Sequence, residues 1–139
     1  MPDLSRWYVK TALVYLALAL LLGVVLVWPA EGGVPFWQGL LWPAWIHLLT
    51  VGWLTQLIFG VAFWLFPRHS RARPYGPEAL VRAAYPLLNV GIVLRVVSEP
   101  AIAWTSSAWW RGLLVLSAML QWMAGVFMVG YLWTRVKRR

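Results

Sequence analysis

Residues 42–67 read WPAWIHLLTVGWLTQLIFGVAFWLFP. Apart from His47, nothing in this run ionises, and the run exceeds the roughly 20 residues that cross a bilayer as a helix. An ionisable side chain in hydrocarbon is costly and by default marks a site. Imidazole is only mildly polar when neutral, and it is a good ligand for metals, haem iron included. The other of the two histidines, His69, lies among arginines in a loop. A metal held inside the membrane therefore has to be held through His47.

The rest of the chain agrees with a membrane setting. It has 139 residues, of which 62% are hydrophobic and 12% charged, against roughly 25% charged in soluble domains. Its mean hydropathy is +0.70. Four apolar segments stand out, roughly Trp7–Trp28, Leu41–Phe66, Leu80–Ile102 and Trp109–Trp133. Backbone groups in lipid must be satisfied internally, so each is expected to be a helix, and the alternating segments of a membrane barrel are absent. The first segment is too long for the apolar part of a signal peptide and is read as a membrane helix. With no cysteine in the chain, disulfides, thiolate metal sites and cysteine nucleophiles drop out. The expected fold is all-α: one domain over residues 1–139, an up-down bundle of four transmembrane helices joined by short loops.

The net charge is +8, and its placement accounts for it. Arg6 and Lys10 flank helix 1, Arg68, Arg71, Arg73 and Arg82 lie between helices 2 and 3, and Arg135, Lys137, Arg138 and Arg139 follow helix 4. All fall on one side of a four-span bundle. Excess Lys and Arg mark the cytoplasmic side, so both termini are expected inside the inner (cytoplasmic) membrane. Anionic lipid headgroups are a compatible contact for these clusters, and no nucleic-acid partner is expected. Most of the twelve tryptophans sit near the predicted boundaries as an aromatic belt. Trp53, Trp64 and Trp122 fall within or toward the ends of helices, to pack, face lipid or wall a cofactor.

Depth groups the remaining polar residues. At ~1.5 Å per residue, His47 is about 9 Å below the outer start of helix 2, and Arg95 on helix 3 is at a similar level. Glu99 is one turn further out and can pair with Arg95 at i,i+4. Ser117 on helix 4 is near the same level. At 100° per residue, His47 shares a smooth aliphatic face with Pro43, Ala44, Thr50, Val51, Leu54, Ile58, Val61 and Ala62. This face could receive a flat macrocycle or a neighbouring helix. The opposite face carries Gly52, Gln56 and Gly60, whose spacing allows close helix approach. Gln56 is placed to bond Gln121 or Asn89 across that contact. Each polar group also has a plain structural reading. In that reading His47 only donates to a carbonyl of a neighbouring helix, Arg95 pairs with Glu99 and snorkels outward, and His69 is solvated.

The helix 2 segment resembles the second transmembrane helix of subunit I of the haem-copper oxidase superfamily, including its nitric oxide reductase branch. His47, Gly52, Trp53, Phe59, Gly60 and Phe66-Pro67 carry the likeness, over roughly 27 residues by the bilayer-spanning length involved. Asn89-Val-Gly-Ile-Val-Leu-Arg95 followed by Glu99-Pro100 looks like a motif of small four-helix relatives of that subunit. The resemblance implies that His47 is an axial ligand of a b-type haem and that Arg95 partners a haem propionate. The family's second low-spin ligand and its three copper-site histidines have no counterpart here, so no copper site is expected, nor is reduction of oxygen or nitric oxide by this chain alone. One histidine per chain leaves three ways to hold haem: shared at a two-fold interface of a homodimer, five-coordinate with a position open to a gas, or completed by a second subunit.

Two functions follow as expectations. The first is a b-type haem membrane protein in electron transfer, gas sensing or haem handling. The second is a non-catalytic accessory or assembly subunit of a respiratory oxidase or nitric oxide reductase, without haem of its own. The expected partners are the lipid bilayer, further copies of the chain or a larger respiratory complex. No nucleophile–base pair is present for catalysis by the chain alone, and no broken-helix pair of the transporter kind.

Overall fold

The computed structural model describes residues 1–28, 35–66 and 78–136, all as helices and their ends. Four helices are long and apolar enough to cross a membrane: α1 (Asp3–Leu26), α2 (Phe36–Leu65), α3 (Ala79–Thr105) and α4 (Ala108–Trp133). Their bounds shift by a few residues from the apolar segments: α1 starts at Asp3 and ends at Leu26, short of Trp28, and α2 starts earlier, at Phe36. α3 contains Pro86 and Pro100. A missing N–H and a ring clash are tolerated in membrane helices, where neighbours satisfy the freed carbonyls. The α3–α4 link is tight: Ser106 takes a left-handed φ of 41°, and Ser107 caps α4 by accepting from the Trp109 N–H. His69 and the basic residues Arg68, Arg71, Arg73, Lys137, Arg138 and Arg139 lie outside the described residues.

Sequential helices are antiparallel neighbours. Ser5 near the start of α1 and Arg135 just past α4 both contact the end of α2, so the first and last described residues share one end of the bundle, the terminal end. The opposite end is the distal end. α2 and α3 are central. In their most apolar windows 33% and 28% of residues are buried by protein, against 17% for α1 and for α4. The surface left over is apolar and suits lipid, which defines a multi-pass membrane protein.

Small residues set the helix approach. A Cβ on Gly52 would lie 3.0 Å from Tyr15 Cβ, and one on Gly60 would lie 2.7 Å from Tyr8 Cβ. On α3, a Cβ on Gly91 would meet Gln121 Cγ at 2.8 Å. Lipid is as apolar as leucine, so close packing and interhelical hydrogen bonds hold membrane helices together, the bonds contributing about 1–2 kcal/mol at most. They are arranged in tiers. Tyr8 donates to the Val81 carbonyl (2.9 Å), and Tyr15 to Asn89 Oδ1 (3.0 Å). Thr11 Oγ1 and Tyr85 Oη lie 2.7 Å apart. Trp45 donates to the Ala19 carbonyl (2.9 Å), and Ser117 to the Gly91 carbonyl (2.6 Å).

One feature of α2 departs from the sequence reading. Leu48–Thr55 is a π-helix, flanked by α-helical Phe36–His47 and Gln56–Leu65. The wider i→i+5 turn changes the angular phase along α2. In a straight α-helix, positions four apart drift by about 40°. The wider turn offsets that drift, so Gly52 and Gly60 both face α1, with the buried Gln56 between them in sequence. The aliphatic face expected to run through His47 is broken instead. Ala44 and Ala62 are buried in protein, whereas Leu54 and Ile58 face outward.

Candidate functional site

The site forms where the distal half of α2 packs on α3. His47 closes the α-helical part of α2, immediately before the π turn. Its Nδ1 lies 2.9 Å from the Pro43 carbonyl oxygen one turn back and 3.3 Å from Glu99 Oε1 on α3. A carbonyl accepts only, so Nδ1 carries the proton and donates. That leaves Nε2 unprotonated in the neutral ring and without a hydrogen-bond partner among the described residues. Arg95 Nε donates to the same Glu99 oxygen at 2.6 Å. One carboxylate oxygen thus receives a guanidinium and faces an imidazole.

Burial orders the three groups. The Glu99 side chain is 8% exposed, against 23% for Arg95 and 24% for His47. The carboxyl group lies innermost and both nitrogen bases reach the chain's surface. A lone carboxylate at this depth would be costly, and Arg95 at i,i+4 supplies the opposite charge. The terminal nitrogens of Arg95 make no hydrogen bond to described residues. Glu99 Oε2 and the neighbouring Ser98 Oγ are buried, also without a partner there.

Helix phase gives the direction in which the cluster opens. Gly91 faces α4. Arg95 lies about 40° and Glu99 about 80° around α3 from it, and Glu99 meets α2. Arg95 therefore lies between α2 and α4. At the terminal end these two helices converge: Phe63 and Tyr131 rings are 5.6 Å apart. Arg135 donates to the Phe63 carbonyl (2.7 Å) and the Phe66 carbonyl (2.6 Å). At the distal end the described residues show no comparable contact, so His47 and Arg95 border an open angle between α2 and α4. A groove of about 400 Å³ between α1 and α3, lined by aliphatic residues such as Leu18, Leu48, Ile92 and Val96, does not include them.

The expected Arg95–Glu99 pair is seen; the structure also brings His47 to the same carboxylate, which depth alone left open, and Ser117 is not part of the cluster. Ser117 bonds the Gly91 carbonyl and accepts from Gln121 Nε2 at 3.0 Å. The expected bond from Gln56 to Gln121 or Asn89 is also absent, because both are already engaged, Asn89 with Tyr15 and the Tyr85 carbonyl. Gln56 is fully buried, and its amide has no partner among the described residues. Sequence reasoning treated Arg135 as one of the surface cations, yet it is 1% exposed and tethers α4 to the end of α2. Its signal was slight: the first cation after α4, one turn beyond Tyr131. No group of three or more metal-ligating side chains occurs among the described residues.

Fold and site together describe a four-span, all-helical membrane protein with an Arg–Glu–His cluster in its distal half. Comparison with family models, curated proteins and solved structures yields no match.

Proposed function

We propose that this chain is a b-type haem membrane protein in which His47 is an axial ligand through Nε2. The observation that carries the reading is the tethering of Nδ1 by Pro43 and Glu99. Metal-bound histidines almost always donate their other ring N–H to a carbonyl or carboxylate, which orients the ring and selects the tautomer. The residues present fit the group. His47 offers a free Nε2 at the chain's surface, and Arg95 keeps its terminal nitrogens for a propionate while Nε holds Glu99. When bound, haem supplies one-electron redox chemistry or a gas-binding iron. The likeness of helix 2 to the haem-ligand helix of haem-copper oxidase subunit I agrees with this role.

One histidine at the surface of one chain fits a haem shared by two copies. A two-fold axis beside the open angle between α2 and α4 presents two His47 side chains to one iron, since an isologous interface repeats each contact. The bundle lies in the cytoplasmic membrane with both termini inside, by its basic clusters; a reporter fused after Arg139 is expected to read inside. The purified protein, grown with ample haem, is expected to show a low-spin Soret spectrum at one haem per two chains. His47→Ala should abolish it. If the wild type is colourless and His47→Ala melts like wild type, the reading fails.

A second reading, an accessory subunit of a respiratory oxidase or nitric oxide reductase without haem, draws on a different observation. Trp122, midway along α4, is 67% exposed, although tryptophan favours the membrane–water boundary. A partner helix covering it would account for its position, and a colourless protein that co-purifies with oxidase subunits would favour this reading.

A further inference from the structure

We propose that Glu99, clamped by Arg95, is a positioning residue that tunes His47 as a ligand. The inference rests on the haem reading and adds a role for two residues that do not touch the iron. Pro43 accepts from His47 Nδ1 at 2.9 Å, which is enough to orient the ring. Glu99 is not needed for orientation, yet it brings a nearly buried carboxylate to 3.3 Å from the same nitrogen. A carboxylate beside Nδ1–H draws on that proton and raises electron density at Nε2, making it a more basic ligand. A more basic ligand and a nearby negative charge both favour ferric over ferrous iron.

Arg95 has a distinct part in this arrangement. Its Nε bond of 2.6 Å fixes which carboxylate oxygen faces the imidazole. It also places an opposite charge beside the Glu99 carboxyl group in the membrane. The pair resides wholly on α3 and the ligand on α2, so the tuning depends on the packing of these two helices. Glu99 Oε2, buried and without a described partner, leaves the carboxylate's polar commitments concentrated on Oε1, the oxygen that both bases approach.

The test compares wild type with Glu99→Gln, which keeps shape and removes charge, and with the double variant Arg95→Gln/Glu99→Gln, which leaves no orphan charge should the single variant fold poorly. Two readouts are taken. In haem-free protein labelled at histidine nitrogen, the His47 Nδ1 proton is expected downfield in wild type and shifted upfield in both variants. In haem-loaded protein, Glu99→Gln should hold haem about 10–100-fold more weakly, the usual cost of removing such an outer partner; the double variant, which also loses the propionate partner Arg95, is read by the Nδ1 proton alone. The ferric–ferrous equilibrium should move toward ferrous by about tenfold, which is about 59 mV upward for one electron. An unchanged Nδ1 proton, or haem retention and potential equal to wild type, overturns the proposal and leaves Pro43 as the sole orienting group. A colourless wild type overturns the haem reading instead, and the haem-free measurement still decides whether Glu99 acts on His47.

Discussion

Replacing Gly60 tests the packing that brings α1 onto α2. In the native structure a Cβ at this position would stand 2.7 Å from Tyr8 Cβ, 3.2 Å from the Ser5 carbonyl oxygen and 3.3 Å from Val9 Cγ2. Carbon atoms pack best at about 3.5–4.0 Å, so even alanine overlaps Tyr8 by the better part of an ångström. The obstacle cannot rotate aside, because it is the root of a side chain whose hydroxyl is bonded to the Val81 carbonyl. Ser5 also donates to the Gly60 carbonyl, and that bond lengthens if the helices separate. Alanine gains up to about 1 kcal/mol of helix propensity over glycine, which partly offsets the clash. Leucine gains less and adds more volume. Gly60→Leu is therefore expected to destabilise by about 1–3 kcal/mol, the usual cost of overpacking. At 1.4 kcal/mol per tenfold this is about fivefold to about 150-fold in the unfolding equilibrium. The assay is denaturant unfolding in mixed micelles followed by helical circular dichroism. Gly125→Leu is the control, because nothing lies within 4 Å of a Cβ there. If Gly60→Leu and Gly125→Leu unfold alike at the wild-type midpoint, the close approach of α1 and α2 is refuted.

The other packing predictions concern buried polar groups. Gln56→Leu should leave stability unchanged or raise it by about 1–2 kcal/mol, since a buried amide without partners costs about 1–3 kcal/mol and leucine costs nothing comparable; a lower unfolding midpoint would reveal a hydrogen-bond partner such as a buried water. Arg135→Met should destabilise by about 2–3 kcal/mol, because two carbonyls at the end of α2 lose a charged donor. Faster amide exchange confined to the last turn of α2 and the end of α4 is the expected signature, and uniform exchange as in wild type would argue against the tether.

The haem reading and these packing effects separate cleanly in experiment. On the proposed haem reading, His47→Ala removes a ligand at the surface of one chain, so its effect should be spectral and quaternary, with a lower melt than the haem-loaded wild type. Gly60, Gln56 and Arg135 act on helix contacts and should leave a residual haem spectrum wherever the bundle still folds.

Fold class was legible in the residues alone because the bilayer imposes it. Four runs of about membrane length admit no structure but helices when each backbone group must find its partner within the run. The depth match of His47, Arg95 and Glu99 was legible for a related reason: the rise of a helix is constant, so position in the run gives level. The small-residue face of Gly52 and Gly60 could also be read, since only glycine permits so close an approach.

What tertiary structure decided was rotation about the helix axes. The π turn at Leu48–Thr55 shifts the phase of α2 by an amount no periodicity in the sequence announces, because its α-helical alternative has the same residues and nearly the same length. That shift, with the packing of α2 on α3, turns His47 toward Glu99, breaks the smooth aliphatic face and buries Gln56 with no partner among the described residues. Arg135 is the same lesson at the end of α4. Its charge reads as surface, and only the arrival of α2's last carbonyls beside it makes burial cheaper than exposure. Levels along a helix follow from counting residues, whereas azimuths follow from which neighbour is packed, and a ligand's partners are a matter of azimuth.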